Sequence, residues 1–81
     1  MDHARAMHLF GCLQDGQVLL LRAPDSETVF SLQRAWNDYS LPAYTVFQDG
    51  KPVPGYVGII LSKNRVIDWL LDLEEVNHDV Q

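Results

Sequence analysis

His8-Leu9-Phe10-Gly11-Cys12-Leu13-Gln14-Asp15-Gly16-Gln17-Val18-Leu19-Leu20-Leu21 is the stretch on which the fold turns. Two apolar runs, His8 to Leu13 and Gln17 to Ala23, flank the triplet Gln14-Asp15-Gly16. Asp-Gly supplies the positive-φ backbone of a tight hairpin turn, so the pattern predicts two antiparallel strands. Val18 to Leu21 is apolar at every position, which predicts a strand covered on both faces. The preceding residues 1–6 read as a flexible leader.

Working outward, Pro24-Asp25-Ser26 punctuates the chain, and Asp25 or Ser26 can cap a helix with Glu27 in its first turn. Val29, Leu32, Trp36 and Tyr39 recur at helical spacing, which predicts a helix over residues 27–39. Ser40-Leu41-Pro42 stops it, because the residue before a proline is pushed out of the α region. Ala43 to Gln48 alternates aromatic and β-branched residues and reads as a strand. Asp49-Gly50 turns it, and Tyr56 to Ile60 returns as its partner. Pro52 and Pro54 lie between, so this stretch belongs at a sheet edge or in a widened turn.

Ser62 is a good helix cap, and Val66, Ile67, Leu70 and Leu73 share one stripe with Trp69 beside it. A helix over residues 63–76 follows. As a strand the same residues would alternate too, but the cap and the length favour helix. The expected order is ββαββα, an α+β two-layer sandwich with a mixed sheet and two helices. It forms one domain over residues 7–77, with residues 78–81 as a tail. Val29, Leu32, Trp36, Phe47, Val66, Leu70 and Leu73 should form the core. The recurrence of Leu13-Gln14-Asp15-Gly16 as Phe47-Gln48-Asp49-Gly50 would fit two ββα halves, or chance repetition of Gln-Asp-Gly.

Composition limits the functions open to such a domain. With 81 residues there is room for one core, and 47% hydrophobic with 21% charged residues belongs to folded rather than disordered chains. Cys12 is the only cysteine, which excludes an internal disulfide, a CxxC redox centre and a multi-cysteine zinc site. It reads as a small buried hydrophobe. No apolar run approaches the roughly 20 residues that span a bilayer, and residues 1–7 lack a signal-peptide pattern, so a cytoplasmic protein is expected. Net charge is −5, and the basic residues are scattered, leaving no cationic face for nucleic acid. The acids gather late, at Asp68, Asp72, Glu74, Glu75 and Asp79. Such a run is ordinarily a solvated face, and it could also meet a basic partner.

Catalytic chemistry is not legible. His3, His8 and His78 have no metal-ligand spacing, and no cofactor signature, phosphate loop or nucleophile elbow appears. Asp25, Ser26 and Thr28 are explained by capping.

Residues Pro42 to Leu73 resemble the C-terminal half of thioredoxin-fold proteins, through Pro42, Phe47, Asp49-Gly50-Lys51, Val57-Gly58, Ser62-Lys63 and Trp69-Leu70. The resemblance implies a cis peptide bond at Pro42, which would start a strand, and a polypeptide-contacting loop at Leu41, Pro42 and Ala43. The paired cysteines of that family are absent, so a shortened, redox-inactive relative is implied. The N-terminal half is similar instead to ubiquitin-like β-grasp domains, through Met7-His8-Leu9-Phe10, the Gly16 turn, the strand to Leu21 and Ser26-Glu27-Thr28-Val29. Either resemblance implies a non-enzymatic module that binds a protein as adaptor, accessory subunit or inhibitor. A small enzyme or glutathione-binding relative is the other class. The expected contact residues are Leu41, Pro42 and Ala43, then Tyr56 on a strand edge, and Glu74 and Glu75 at the acidic end. A homodimer through a sheet edge is a further arrangement open to such a domain.

Overall fold

In the computed structural model, which describes residues 1–36 and 38–76, the first apolar run is a helix, α1 (His3–Gln14). Ala6, Leu9 and Leu13 recur at helical spacing and are buried along one side. Asp2 caps the start, its carboxylate accepting from the Arg5 N–H at 2.8 Å. At the other end Gly16 adopts φ +86°. Its N–H donates to the Leu13 carbonyl and that of Gln17 to the Cys12 carbonyl, both at 3.0 Å. These are the paired bonds that close a glycine-terminated helix.

The expected opening hairpin is therefore replaced by a helix and its stop, because a positive-φ glycine serves a helix C-terminus as readily as a tight turn. The expected leader is corrected with it. His3 to Ala6 are the first turn of α1, Ala6 is fully buried, and the Met1 ammonium donates to the carbonyls of Leu71 and Leu73 at 3.1 and 3.0 Å. The tail at residues 78–81 lies outside the described residues.

Strand β1 (Leu19–Arg22) pairs antiparallel with β2 (Val29–Trp36). Pro24-Asp25-Ser26 forms the connection between them. The Ser26 hydroxyl accepts from the Thr28 N–H at 3.0 Å, a local turn instead of a helix cap. Residues 42–48 form β3 (Pro42–Gln48), a strand as their alternation predicted, and it pairs antiparallel with β2, which stands in place of the helix expected over residues 27–39. Asp49 and Gly50, at φ 54° and 79°, make the two-residue turn into β4 (Lys51–Pro52). The returning partner of β3 is the short β5 (Ile59–Ile60). Ser62 caps α2 (Lys63–Leu71), accepting from the Arg65 N–H at 3.3 Å. That helix stops at Asp72, short of the expected end, and β6 (Glu74–Glu75) then pairs with β1.

The architecture is α+β, with two helices and a six-stranded sheet in the path β4-β3-β2-β1-β6, β5 also pairing with β3. Every strand pair is antiparallel, so neither the ββαββα order nor the mixed sheet holds, and the paired ββα halves go with them. No peptide bond among the described residues is cis, Pro42 included. The cis bond implied by the thioredoxin resemblance is thus not present, although Pro42 does start a strand. Met7 to Phe10, which the β-grasp resemblance places in an opening strand, lie in α1.

Both helices pack on one face of the sheet. Leu19, Leu21, Leu32, Tyr44 and Val46 point inward to meet Leu9, Leu13, Val66, Ile67, Leu70 and Leu73 in one core. Leu32, Val66, Leu70 and Leu73 are buried as expected, but Trp36, Val29 and Phe47 are not. A strand alternates every second residue, which sends Val29 and Phe47 to the outer face. Trp36 stays on the inner side beyond the helices, 61% exposed, with the Arg34 guanidinium carbon 4.7 Å from its ring centroid. None of the described helices is long and apolar enough to cross a membrane.

Candidate functional site

Helix α2 carries two stripes. Val66, Ile67 and Leu70 face the core, while Arg65, Asp68, Trp69 and Asp72 recur at helical spacing along the flank that looks across toward β3. Between that flank and the strand lies a groove of about 320 Å³. Its floor is the inner face of the sheet at Leu32, Tyr44 and Val46, and its far wall is Tyr56, Ile59 and Leu61. A second hollow of about 250 Å³ shares Val46, Tyr56 and Trp69 with the first and runs on to Phe30, Val53 and Leu73. The two make one apolar trough beside α2.

The far wall is held by backbone bonds. Val53 N–H donates to the Val46 carbonyl at 2.8 Å, Val46 N–H to the Tyr56 carbonyl at 2.9 Å, and Tyr56 N–H to the Val53 carbonyl at 3.0 Å. Gly58 N–H donates to the Thr45 hydroxyl at 2.9 Å. Gly55, at φ +87°, permits the turn that brings Tyr56 over the floor. Across the trough the Trp69 ring stacks on Phe30, with centroids 6.0 Å apart.

The Arg65, Asp68 and Asp72 side chains make no hydrogen bond or ion pair among the described residues. The other arginines are engaged: Arg5 with Glu75, Arg22 with Glu74, and Arg34 with the Gln14 side chain and carbonyl. The rim therefore carries charges that the fold does not use.

Of the residues expected to contact a partner, Tyr56 belongs to the trough wall and is 49% exposed. Leu41 and Pro42 lie apart from it, where β2 passes into β3, and Pro42 is opposite Trp36 in register. Ala43 is buried on the outer face, opposite Ala35 and Ile60. Glu74 and Glu75 bind within the fold instead of presenting a free acidic end. Glu75 takes both a 2.8 Å and a 2.6 Å bond from Arg5, and Glu74 takes a 3.1 Å bond from Arg22. The Arg5 hydrogen bond holds the Glu75 carboxyl below its ordinary pKa and raises that of Arg5. Trp69, Asp68 and Asp72 also line the trough, and their shared stripe on α2 gains that meaning only because β3 lies across from it.

A separate hollow between α1 and β1 contains His8 and Cys12, whose Nε2 and Sγ are 3.7 Å apart. Among the described residues no three His, Cys, Asp or Glu side chains group as metal ligands would. What the fold defines is a two-layer α+β domain with an apolar trough on its helical face. Compared with protein-family models, curated proteins and solved structures, the chain matches none of them.

Proposed function

We propose that this protein is a non-enzymatic protein-binding module, an adaptor, accessory subunit or inhibitor, that seats an apolar segment of its partner in the trough beside α2. The observation that carries this reading is the trough itself. Two adjoining hollows share Val46, Tyr56 and Trp69, so the site is longer than a single ligand cavity. Its aromatic walls belong to the residue types that dominate binding energy when a partner covers them. A sheet-edge homodimer fits less well, because β4 and β6 offer two residues each and short edges resist strand addition.

Site-specific photocrosslinking in the native host tests the proposal. A photoreactive phenylalanine at Tyr56 should yield a discrete adduct with one protein, whereas the same group at Gln33, on the opposite face of the sheet, should not. Equal labelling at both positions, or none at Tyr56, would reject the trough as a docking site. A small apolar ligand is the second reading, favoured by the volume of about 320 Å³, at the lower end of the roughly 300–1,000 Å³ of ligand pockets. Native mass spectrometry of the purified protein would reveal it as a retained mass.

A further inference from the structure

We infer that the segment seated in the trough is an amphipathic helix with basic residues beside its apolar stripe, an inference that rests on the docking reading above. The backbone of the trough argues for a helix. Where the floor meets the far wall, both the N–H and the carbonyl of Val46 are already bonded, to Tyr56 and Val53. The floor strands β2 and β3 are paired along their length. Along Val46 an extended occupant would find no free main-chain partner, and its own N–H and C=O groups there would face apolar side chains unsatisfied. A helix bonds its backbone internally and presents only side chains. Its large apolar residues, at spacings of three and four, would enter the two adjoining hollows.

The rim argues for charge of one sign. Asp68 and Asp72 are one helical turn apart on α2, and both line the trough without an ion pair among the described residues. Arg65, one turn earlier, is the single cation among the described residues that line the trough. The complementary occupant places Lys or Arg opposite Asp68 and Asp72 and leaves the Arg65 end neutral or acidic. The net charge of −5 draws a basic segment from a distance, and a negative rim opposes an acidic one.

Selection from a displayed library of random peptides about four helical turns long tests this, with the wild-type protein as bait and Tyr56→Asp as counter-bait. The expected winners carry large apolar residues at helical spacing with Lys or Arg alongside, and they bind less tightly as salt is raised. The double variant Asp68→Asn/Asp72→Asn should weaken a winning peptide about three- to tenfold. It should melt with the wild type, because neither carboxylate bonds within the fold. Winners that require Tyr56 but lack basic residues, or that contain helix-breaking prolines, overturn the inference while leaving the docking reading intact. A library yielding no peptide that discriminates wild type from Tyr56→Asp overturns both.

Discussion

The rings of Phe30 and Trp69 stack with centroids 6.0 Å apart and planes inclined by 24°, joining β2 to α2 at one end of the trough. The pair ties the helix to the sheet where the sheet is otherwise open, so the contact both holds the fold and shapes the groove. Truncating either residue to alanine should cost about 1–3 kcal/mol from lost apolar burial. A double-mutant cycle in urea should return a coupling of about 0.5–1.5 kcal/mol. A coupling near zero would mean that the rings are neighbours without energetic consequence.

The helical reading of the N-terminal run has its own test. Leu13 is fully buried on the inner side of α1, and Leu13→Ala should cost about 2–5 kcal/mol by chemical denaturation. Trp36 is 61% exposed, and Trp36→Ala should cost less than about 1 kcal/mol. The reverse order of sensitivity would restore a core built on a helix over residues 27–39.

Two glycines in the same region should respond with opposite sign. A Cβ at Gly11 or at Gly16 meets nothing within 4 Å, so sterics with neighbours do not separate them. Gly11 is inside α1, where alanine loses less entropy, and Gly11→Ala should stabilise by about 0.5–1 kcal/mol. Gly16 has φ +86°, which disfavours any side chain, and Gly16→Ala should destabilise by about 1–2 kcal/mol. Thermal melts of the two variants on either side of the wild type would confirm the helix and its stop.

Acidification should release the link between Arg5 and Glu75. The hydrogen bond from Arg5 lowers the Glu75 pKa in the folded state, so in the acid range the unfolded state binds more protons and stability rises with pH. The contribution is complete above the ordinary carboxylate pKa and is lost as pH falls through the lowered folded value. Glu75→Gln should therefore melt below the wild type at neutral pH and converge with it in acid. Parallel melting curves at all pH values would show that the pair contributes nothing.

Much of the second half could be read directly. The turn at Asp49-Gly50, the strand before it and the cap at Ser62 depend on neighbours in sequence, and the local chemistry admitted few alternatives. Tyr56 was reached the same way, as an aromatic residue at a proline-marked edge. The residues that completed the trough were harder. Arg65, Asp68, Trp69 and Asp72 share a stripe on α2, but the sequence does not say that β3 lies across from it.

By itself the sequence determined that there is room for one core, that Cys12 is the only cysteine, that Gly16 and Gly50 take a positive φ, and that α2 starts at a Ser62 cap. Tertiary structure decided what those signals punctuated. Asp15-Gly16 satisfies a hairpin and a helix stop equally well. Burial of Ala6, Leu9 and Leu13 beside α2 selected the helix. Residues 29–36 carry apolar side chains at helical spacing and at strand spacing alike, and pairing with β1 on one side and β3 on the other made them a strand. Glu74 and Glu75 were legible as acids, yet only the fold brought Arg22 and Arg5, distant in sequence, within bonding reach. Local backbone preference amounts to about 1 kcal/mol per residue or less, whereas burying a large apolar side chain contributes about 1.5–3 kcal/mol, so packing wins wherever the local signals are degenerate.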